Sequence, residues 1–151
     1  MDVRQITDRL ALEQLAVDYA YAIDTRDFDA LDRVFTPDAY IDYRAMGGID
    51  GRYPEVKRWL GQALAGFPNY MHLMGNCSYQ IDGDRAVGKV ACFNPMVVPT
   101  PDGSTQTMML GLWYHDRYLR TAGGWRIGER VETKCFDAHV PEWMRQALVA
   151  N

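Results

Sequence analysis

The sequence has few of the residues from which disulfide frameworks and metal sites are built. Its 151 residues include three cysteines and three histidines. The cysteines, Cys77, Cys92 and Cys135, lie far apart and form no C-x-x-C pair. This argues against disulfides and a cysteine-based zinc site, and is typical of a reducing cytoplasm. The histidines have no metal-binding spacing and no phosphate-binding loop is present, so we expect neither a metal nor a cofactor.

Long apolar segments and clusters of basic residues are also missing. No run approaches the roughly 18 apolar residues that a transmembrane helix needs. The first twenty residues mix charged side chains into the apolar positions, unlike a signal peptide. Lys and Arg total 16 and Asp and Glu total 20, so the net charge is 16 − 20 = −4. We therefore expect a cytoplasmic protein that binds neither membranes nor nucleic acids.

Apolar and aromatic residues are present in the proportion of an ordinary globular protein. Hydrophobic residues make up 48% of the chain and charged residues 24%, which excludes intrinsic disorder. The length predicts a single domain over residues 1–151. Trp, Tyr and Phe total 4 + 9 + 5 = 18. Aromatic residues in this number can line a pocket, although they more often form core.

The first part of the chain predicts three helices and one strand, from the spacing of apolar residues and the capping and breaking residues between them. The predicted elements are a helix with an apolar stripe at Leu12, Leu15, Ala16, Tyr19 and Ile23, a short helix capped by Asp27 and carrying Phe28, Leu31 and Phe35, a strand at residues 39–44, and a helix with Pro54 in its first turn.

The second part predicts an antiparallel meander followed by a helical tail. We expect strands at residues 70–81, 85–98, 105–120 and 125–136, and a helix within residues 141–150. Helices segregated from strands indicate an α+β fold. The expected arrangement is a curved sheet whose concave face is closed by the helices around a pocket.

The order of several short fragments resembles the SnoaL-like family of the nuclear transport factor 2-like superfamily. The resemblance covers about residues 6–137 and implies a cystatin-like cone, in which three N-terminal helices pack on a strongly curved, mostly antiparallel sheet. The superfamily includes dehydratases, isomerases, cyclases and binding domains. The fragments are Asp24-x-x-Asp27-Phe28-x-x-Leu31, Phe35-x-x-Asp38-Ala39, Ile41-Asp42-Tyr43-Arg44, His72-x-x-x-Asn76, Asp82-Gly83-Asp84-x-Ala86 and Gly124-Trp125-Arg126-Ile127.

Two branches of the family imply roles for four residues. Similarity to scytalone dehydratases matches Asp24, Tyr43 and His72 to polar active-site residues, and similarity to bile-acid 7-alpha-dehydratases matches Tyr19, Asp24 and His72. The resemblance implies that His72 is a general base oriented by Asp24, with Tyr19 or Tyr43 as the hydrogen-bond donor. On the residues alone, a core histidine is the more common role for His72, and Asp24 is typical of a turn cap.

Other positions depart from the scytalone dehydratases, which predicts a different substrate. Met96 stands where those enzymes have a second active-site histidine, and Leu112 and Tyr114 fall near their pocket serine and asparagine. Strand alternation places Asn76 on the face of His72 and Asn94 on the face of Met96. The substrate-binding candidates are therefore Asn76, Trp59, Asn94, Met96, Leu112, Tyr114 and Phe136.

Together these features predict a cofactor-independent dehydratase for a hydrophobic cyclic, steroid- or polyketide-like substrate. The alternatives are an isomerase or polyketide cyclase that uses the same pocket, and a non-catalytic small-molecule binding domain. The resemblance also implies a homodimer or homotrimer formed through the outer face of the sheet.

Overall fold

The computed structural model describes residues 1–149, in which helices flank a six-stranded sheet. The helices are α1 (Val3–Asp24), α2 (Tyr53–Ala63) and α3 (Glu142–Val149), with 3₁₀ segments at Phe28–Arg33, Arg44–Met46 and Leu64–Gly66. The strands are β1 (Phe35–Asp42), β2 (Asp50–Arg52), β3 (Leu73–Asp82), β4 (Arg85–Pro99), β5 (Thr105–Thr121) and β6 (Gly124–Ala138).

The sheet is curved and unclosed, with the strand order β2-β1-β6-β5-β4-β3. Neighbouring strands are antiparallel except for the parallel pair β1 and β6. β4, β5 and β6 confirm the predicted meander: β4 and β5 each end one residue later than predicted, and β6 begins one residue earlier and ends two residues later. The α+β arrangement of N-terminal helices on a curved, mostly antiparallel sheet is confirmed.

Helix α1 is fixed at its N-terminus and against the sheet. Asp2 forms a capping box with Gln5, which satisfies two free backbone amides of the first turn. One turn further on, the buried Asp8 carboxylate accepts hydrogen bonds from Arg120 (2.7 Å) and from the Trp125 indole (3.0 Å). The hydrogen bond from Arg120 lowers the pKa of Asp8 against the opposing effect of burial. These contacts tie α1 to β5 and β6.

The segment after α1 corrects one prediction. Phe35 does not belong to the second helix, which is a 3₁₀ segment ending at Arg33. Phe35 begins β1, where it is 1% exposed and pairs in parallel with Ile127 of β6. The apolar spacing fits both a helix and a strand, and pairing with β6 decides between them. β1 ends at Asp42, so Tyr43 and Arg44 lie beyond the strand that was predicted to include them. Tyr43 is the N-cap residue of the next 3₁₀ segment.

Two further boundaries differ from the predictions. The three residues of β2, which lie outside the predicted strands, pair antiparallel with β1. β3 begins at Leu73 rather than at Tyr70, so His72 precedes the strand. Helix α3 lies within the predicted tail, and the last predicted residue, Ala150, lies outside the described residues. Among the described helices, none combines the length and the apolar composition needed to cross a membrane.

Candidate active site

A cavity of about 270 Å³ lies between the helices and the inner face of the sheet. Its wall includes Trp143 of α3, which is 54% exposed and therefore marks the mouth. Within residues 1–149, no three His, Cys, Asp or Glu side chains are grouped as metal ligands. The predicted site residues that line the cavity are Tyr19, Tyr43, Trp59, His72, Asn94, Met96, Leu112 and Tyr114.

His72 and Asp24 form a hydrogen-bonded pair, which we call the dyad. Asp24 is the last residue of α1, and its Oδ1 lies 2.7 Å from Nδ1 of His72. Its Oδ2 accepts the backbone N–H of His72 at 2.8 Å. With Asp24 ionised, Nδ1 carries the ring proton and Nε2 presents a lone pair. His72 lines the cavity, so it is not sealed in the core.

Neighbouring residues hold the two halves of the dyad together. The Tyr70 hydroxyl donates to the carbonyl of Ile23 (2.9 Å), next to Asp24 in the chain. The Asn94 amide donates to the carbonyl of Met71 (2.9 Å), next to His72. These hydrogen bonds position the two backbones independently of the dyad itself. Asn94 therefore has a positioning contact in addition to its place on the cavity wall.

Two phenols lie beside the dyad and bind each other. The hydroxyls of Tyr19 and Tyr43 are 2.8 Å apart, and the Tyr19 ring meets the His72 ring edge-on at 6.1 Å. Tyr19 therefore packs against the ring of His72, and no hydrogen bond joins it to Asp24 among the described residues. Burial raises the pKa of both phenols, so both are neutral. The pair holds two hydroxyl protons and uses one internally, which leaves one to donate into the cavity.

A buried cation lies behind the phenols. Arg130 and Asp116 are both fully buried and form a bidentate pair, with N–O distances of 2.8 and 2.7 Å. Burial opposes the charge of Arg130, but the contact with Asp116 keeps its pKa well above the ordinary value. The guanidinium stacks on the rings of Tyr19 (4.2 Å) and Tyr114 (4.0 Å). Its positive charge therefore acts on the cavity through these aromatic rings.

Glu132 is a buried carboxyl group on the cavity wall. It lies on β6 opposite Tyr114 of β5 and is 6% exposed. Its Oε1 accepts the backbone N–H of Met46 at 3.1 Å. Burial raises its pKa to about 8, against the lowering effects of that hydrogen bond and of Arg130. At neutral pH the group is therefore mostly an uncharged carboxylic acid.

Asn76 does not line the cavity, which corrects its predicted placement. Between Met74 and Cys77 the strand β3 uses three steps where β4 uses two, from Cys92 to Val90. This irregularity breaks the alternation that would put Asn76 on the cavity side. Asn76 is exposed and faces outward.

Phe136 also lies outside the cavity. An extra residue in β6 places it opposite Gly111, whereas Leu112 pairs with Lys134. Its ring, on a residue that is 49% exposed, packs over Gly111 and near Phe93 at 6.5 Å on the outer face. A Cβ added at Gly111 would overlap the Phe136 ring, so the ring would have to move. The expected oligomer interface on this face stays a prediction.

Sequence reasoning missed Asp116, Arg130 and Glu132. Alternation in β6 was a usable signal, because Arg130 and Glu132 share one face while Val131 and Thr133 share the other. A face that carries charged residues is ordinarily predicted to face solvent. On β5, Asp116 likewise has the same phase as the buried Tyr114, so the charged residues follow the aromatic face inward.

Residues 4–131 match the family described as SnoaL-like domain. The chain belongs to the SnoaL-like domain family. This SnoaL-like chain is 60% identical over 136 residues to the uncharacterized protein Rv2910c of Mycobacterium tuberculosis, a match that covers 90% of this chain and 91% of that protein. The predicted family is therefore confirmed.

Solved structures extend the similarity of this SnoaL-like protein at the level of fold. The Kfla4162 protein from Kribbella flavida has a TM-score of 0.81 at 24% identity, over 89% of this chain and 95% of that one. The hexachlorocyclohexane dehydrochlorinase LinA-type3 from Novosphingobium barchaimii has a TM-score of 0.77 at 17% identity, over 94% and 96%. At these identities the likeness establishes the shared nuclear transport factor 2-like fold.

Proposed function

We propose that this protein is a cofactor-independent lyase of the dehydratase type that acts on a hydrophobic cyclic substrate. The observation that carries the proposal is the Asp24–His72 dyad on the wall of the cavity. A histidine held by a carboxylate beside neutral phenols is suited to removing a proton next to a carbonyl group.

The dyad supplies the base. Nε2 of His72 takes a proton from the carbon next to the substrate carbonyl, and the C–H electrons move toward the carbonyl oxygen. Asp24 holds the ring in the required tautomer and stabilises the imidazolium that forms. The enolate then expels the hydroxyl group on the next carbon, which takes the proton from His72 and leaves as water. One C–H and one C–O bond break, a C=C bond forms, and His72 returns to its starting state.

The phenol pair stabilises the charge that develops on the carbonyl oxygen. Tyr19 and Tyr43 retain one hydroxyl proton for the substrate, and their raised pKa values keep them as donors rather than bases. Arg130, stacked 4.2 Å from the Tyr19 ring, adds a positive charge on the far side. Preorganised donors of this kind provide a large part of the rate enhancement in proton abstraction.

The cavity limits the substrate. A volume of about 270 Å³ is at the small end for ligand pockets. Aromatic and aliphatic side chains such as Trp59, Met96 and Leu112 form much of its wall. These properties favour an uncharged molecule of one or two rings over a steroid. The similar fold of a hexachlorocyclohexane dehydrochlorinase, whose name describes loss of hydrogen chloride, supports an elimination reaction.

A panel of one- and two-ring β-hydroxy ketones tests the proposal, with products followed by mass spectrometry. Wild-type protein should convert at least one compound with loss of the mass of one water. His72→Ala should lower the rate by roughly 10²–10⁴-fold because the base is removed. Asp24→Asn should also lower it strongly, because the amide favours the wrong tautomer. His115→Ala is the matched control, since His115 is exposed and bonds only to Thr133 among the described residues.

Two results would contradict this function. Wild-type turnover by His72→Ala would show that His72 is not the base. A product isomeric with the substrate, with no loss of water, would assign the same dyad to an isomerase or cyclase.

A further inference from the structure

We infer that Glu132 determines substrate specificity by donating a hydrogen bond, as an uncharged carboxylic acid, to an acceptor oxygen at the end of the substrate remote from His72. The inference rests on the proposed function, because it assigns a substrate class to the same cavity. It implies an uncharged substrate with a ketone, lactone or quinone oxygen away from the reacting carbon.

The two oxygens of Glu132 have different surroundings. Oε1 is occupied by the backbone N–H of Met46, at 3.1 Å. Oε2 has no hydrogen-bond partner among the described residues. It is also not fully enclosed, so another molecule can reach it. Because Glu132 lines the cavity and Oε2 is not fully enclosed, we place Oε2 toward the space that a ligand would occupy. A bound oxygen would therefore supply the missing partner.

Among the described residues, no charged side chain donates a hydrogen bond to Glu132, and the lowering effects of Arg130 and of the Met46 N–H on its pKa are outweighed by burial. Arg130, two residues away on β6, directs Nε and Nη2 at Asp116 rather than at Glu132. The other ionisable groups that act on this wall are Tyr43, which follows β1, and Asp42 within it. Arg44 lowers the pKa of Asp42, so that group is a carboxylate and opposes a second negative charge.

The phenols facing Glu132 from α1 and β5 do not titrate near neutral pH. Burial raises the pKa of Tyr19 and Tyr114, as it does that of Tyr43. Burial likewise favours the protonated form of Glu132. Among the cavity-lining groups whose pKa is shifted, Glu132 is therefore the one that changes charge between neutral and mildly alkaline pH.

Glu132 and His72 reach the cavity from different parts of the sheet. His72 immediately precedes β3, Glu132 lies on β6, and β4 and β5 lie between them in the sheet. Three strand spacings correspond to about 14 Å along a flat sheet, and both side chains shorten this span by reaching inward. A two-ring molecule that presents its reactive carbon to His72 is therefore long enough to reach Glu132 with its other end.

A matched pair of probes tests the donor. 2-Acetylnaphthalene carries an acceptor oxygen, and 2-ethylnaphthalene has a similar shape without it. Binding is followed by tryptophan fluorescence, since Trp59 and Trp143 line the cavity. As Glu132 ionises between about pH 6.5 and about pH 9, the Kd of the ketone should rise about tenfold, whereas the Kd of the hydrocarbon should change less than about twofold.

Variants separate the donor from the charge. Glu132→Gln keeps a neutral donor, so the ketone should bind tightly at both pH values. Glu132→Leu removes the donor, so the ketone should bind about tenfold more weakly at about pH 6.5 while the hydrocarbon binds at least as well. A ketone Kd that is independent of pH in the wild type, or unchanged in Glu132→Leu, would overturn the inference.

Failure of the lyase proposal gives a different result. His72→Ala and Tyr43→Phe should retain the pH-dependent preference for the ketone, because neither removes Glu132. If β-hydroxy ketones are not dehydrated but the ketone preference follows Glu132, the lyase assignment fails and the specificity residue stands. If dehydration depends on His72 but ketone binding ignores Glu132, the specificity residue fails alone.

Discussion

The buried carboxyl of Glu132 should make the stability of the protein fall as the pH rises. Its pKa is about 8 in the folded protein, against 4.5 for an ordinary glutamate. Because the folded state binds the proton more tightly, this contribution is complete below pH 4.5. It is lost progressively as the pH rises through the folded value. Glu132→Gln cannot ionise and retains an oxygen that can accept the Met46 N–H, so it removes this dependence.

The size of the effect follows from the two pKa values. They differ by 8 − 4.5 = 3.5 pH units, which corresponds to about 5 kcal/mol at high pH, at about 1.4 kcal/mol for each unit. Between about pH 5.5 and about pH 7.5 the wild type should lose about 2–3 kcal/mol of unfolding free energy relative to Glu132→Gln. This whole range lies between the unfolded and folded pKa values, where the slope of stability against pH is steepest.

Urea unfolding at several pH values, followed by tryptophan fluorescence, measures the difference without any ligand. Glu55→Gln on α2 is the matched control, because Glu55 is exposed and its replacement should leave the pH dependence of the wild type intact. A constant difference between wild type and Glu132→Gln across the range would refute the reasoning. A wild type that gains stability with pH relative to Glu132→Gln would mean that Arg130 holds Glu132 as a carboxylate.

Four further variants test other parts of the site. Asp116→Asn leaves the charge of Arg130 buried and unpaired, so it should lower the unfolding free energy by about 3–5 kcal/mol in urea titrations. Gly48→Ala places a Cβ 2.8 Å from the Tyr43 Cβ and 2.9 Å from its carbonyl oxygen, so it should cost about 1–3 kcal/mol and weaken naphthalene-type probe binding. Tyr19→Phe and Tyr43→Phe should each lower kcat more than they change KM, and the larger loss identifies the donor; unchanged kcat in both would remove the phenols from the mechanism.

The regular parts of the fold follow from local sequence patterns. The apolar stripe of α1 and the turn residues between the long strands predict those elements directly, and their order predicts the α+β class. The predictions fail where pairing with a strand distant in sequence determines the secondary structure. Phe35 has a spacing that suits a helix or a strand, and β6 fixes it as a strand. The three residues of β2 have no strand signal of their own and pair because β1 lies alongside.

The candidate site was predictable in composition and less so in geometry. Family resemblance indicated Asp24 and His72 together, whereas their separation of 48 residues has no local signature. Asn76 and Phe136 lie on the outer face because of irregularities in β3 and β6. One extra residue in a strand reverses the face predicted by simple alternation for the residues that follow it. Glu132 was not predicted, because a charged side chain in a strand is ordinarily exposed to solvent.

The position of Asp24 at the end of α1 explains why the dyad suits proton abstraction. The C-terminus of a helix disfavours an anion, and Asp24 is the last residue of α1. Two donors from His72, the backbone N–H and the ring, offset this cost. When His72 accepts a proton, the new cation faces both the carboxylate and the negative end of the helix. In the proposed reaction, the helix end would therefore disfavour the resting carboxylate and favour the imidazolium, and so lower the barrier to proton transfer.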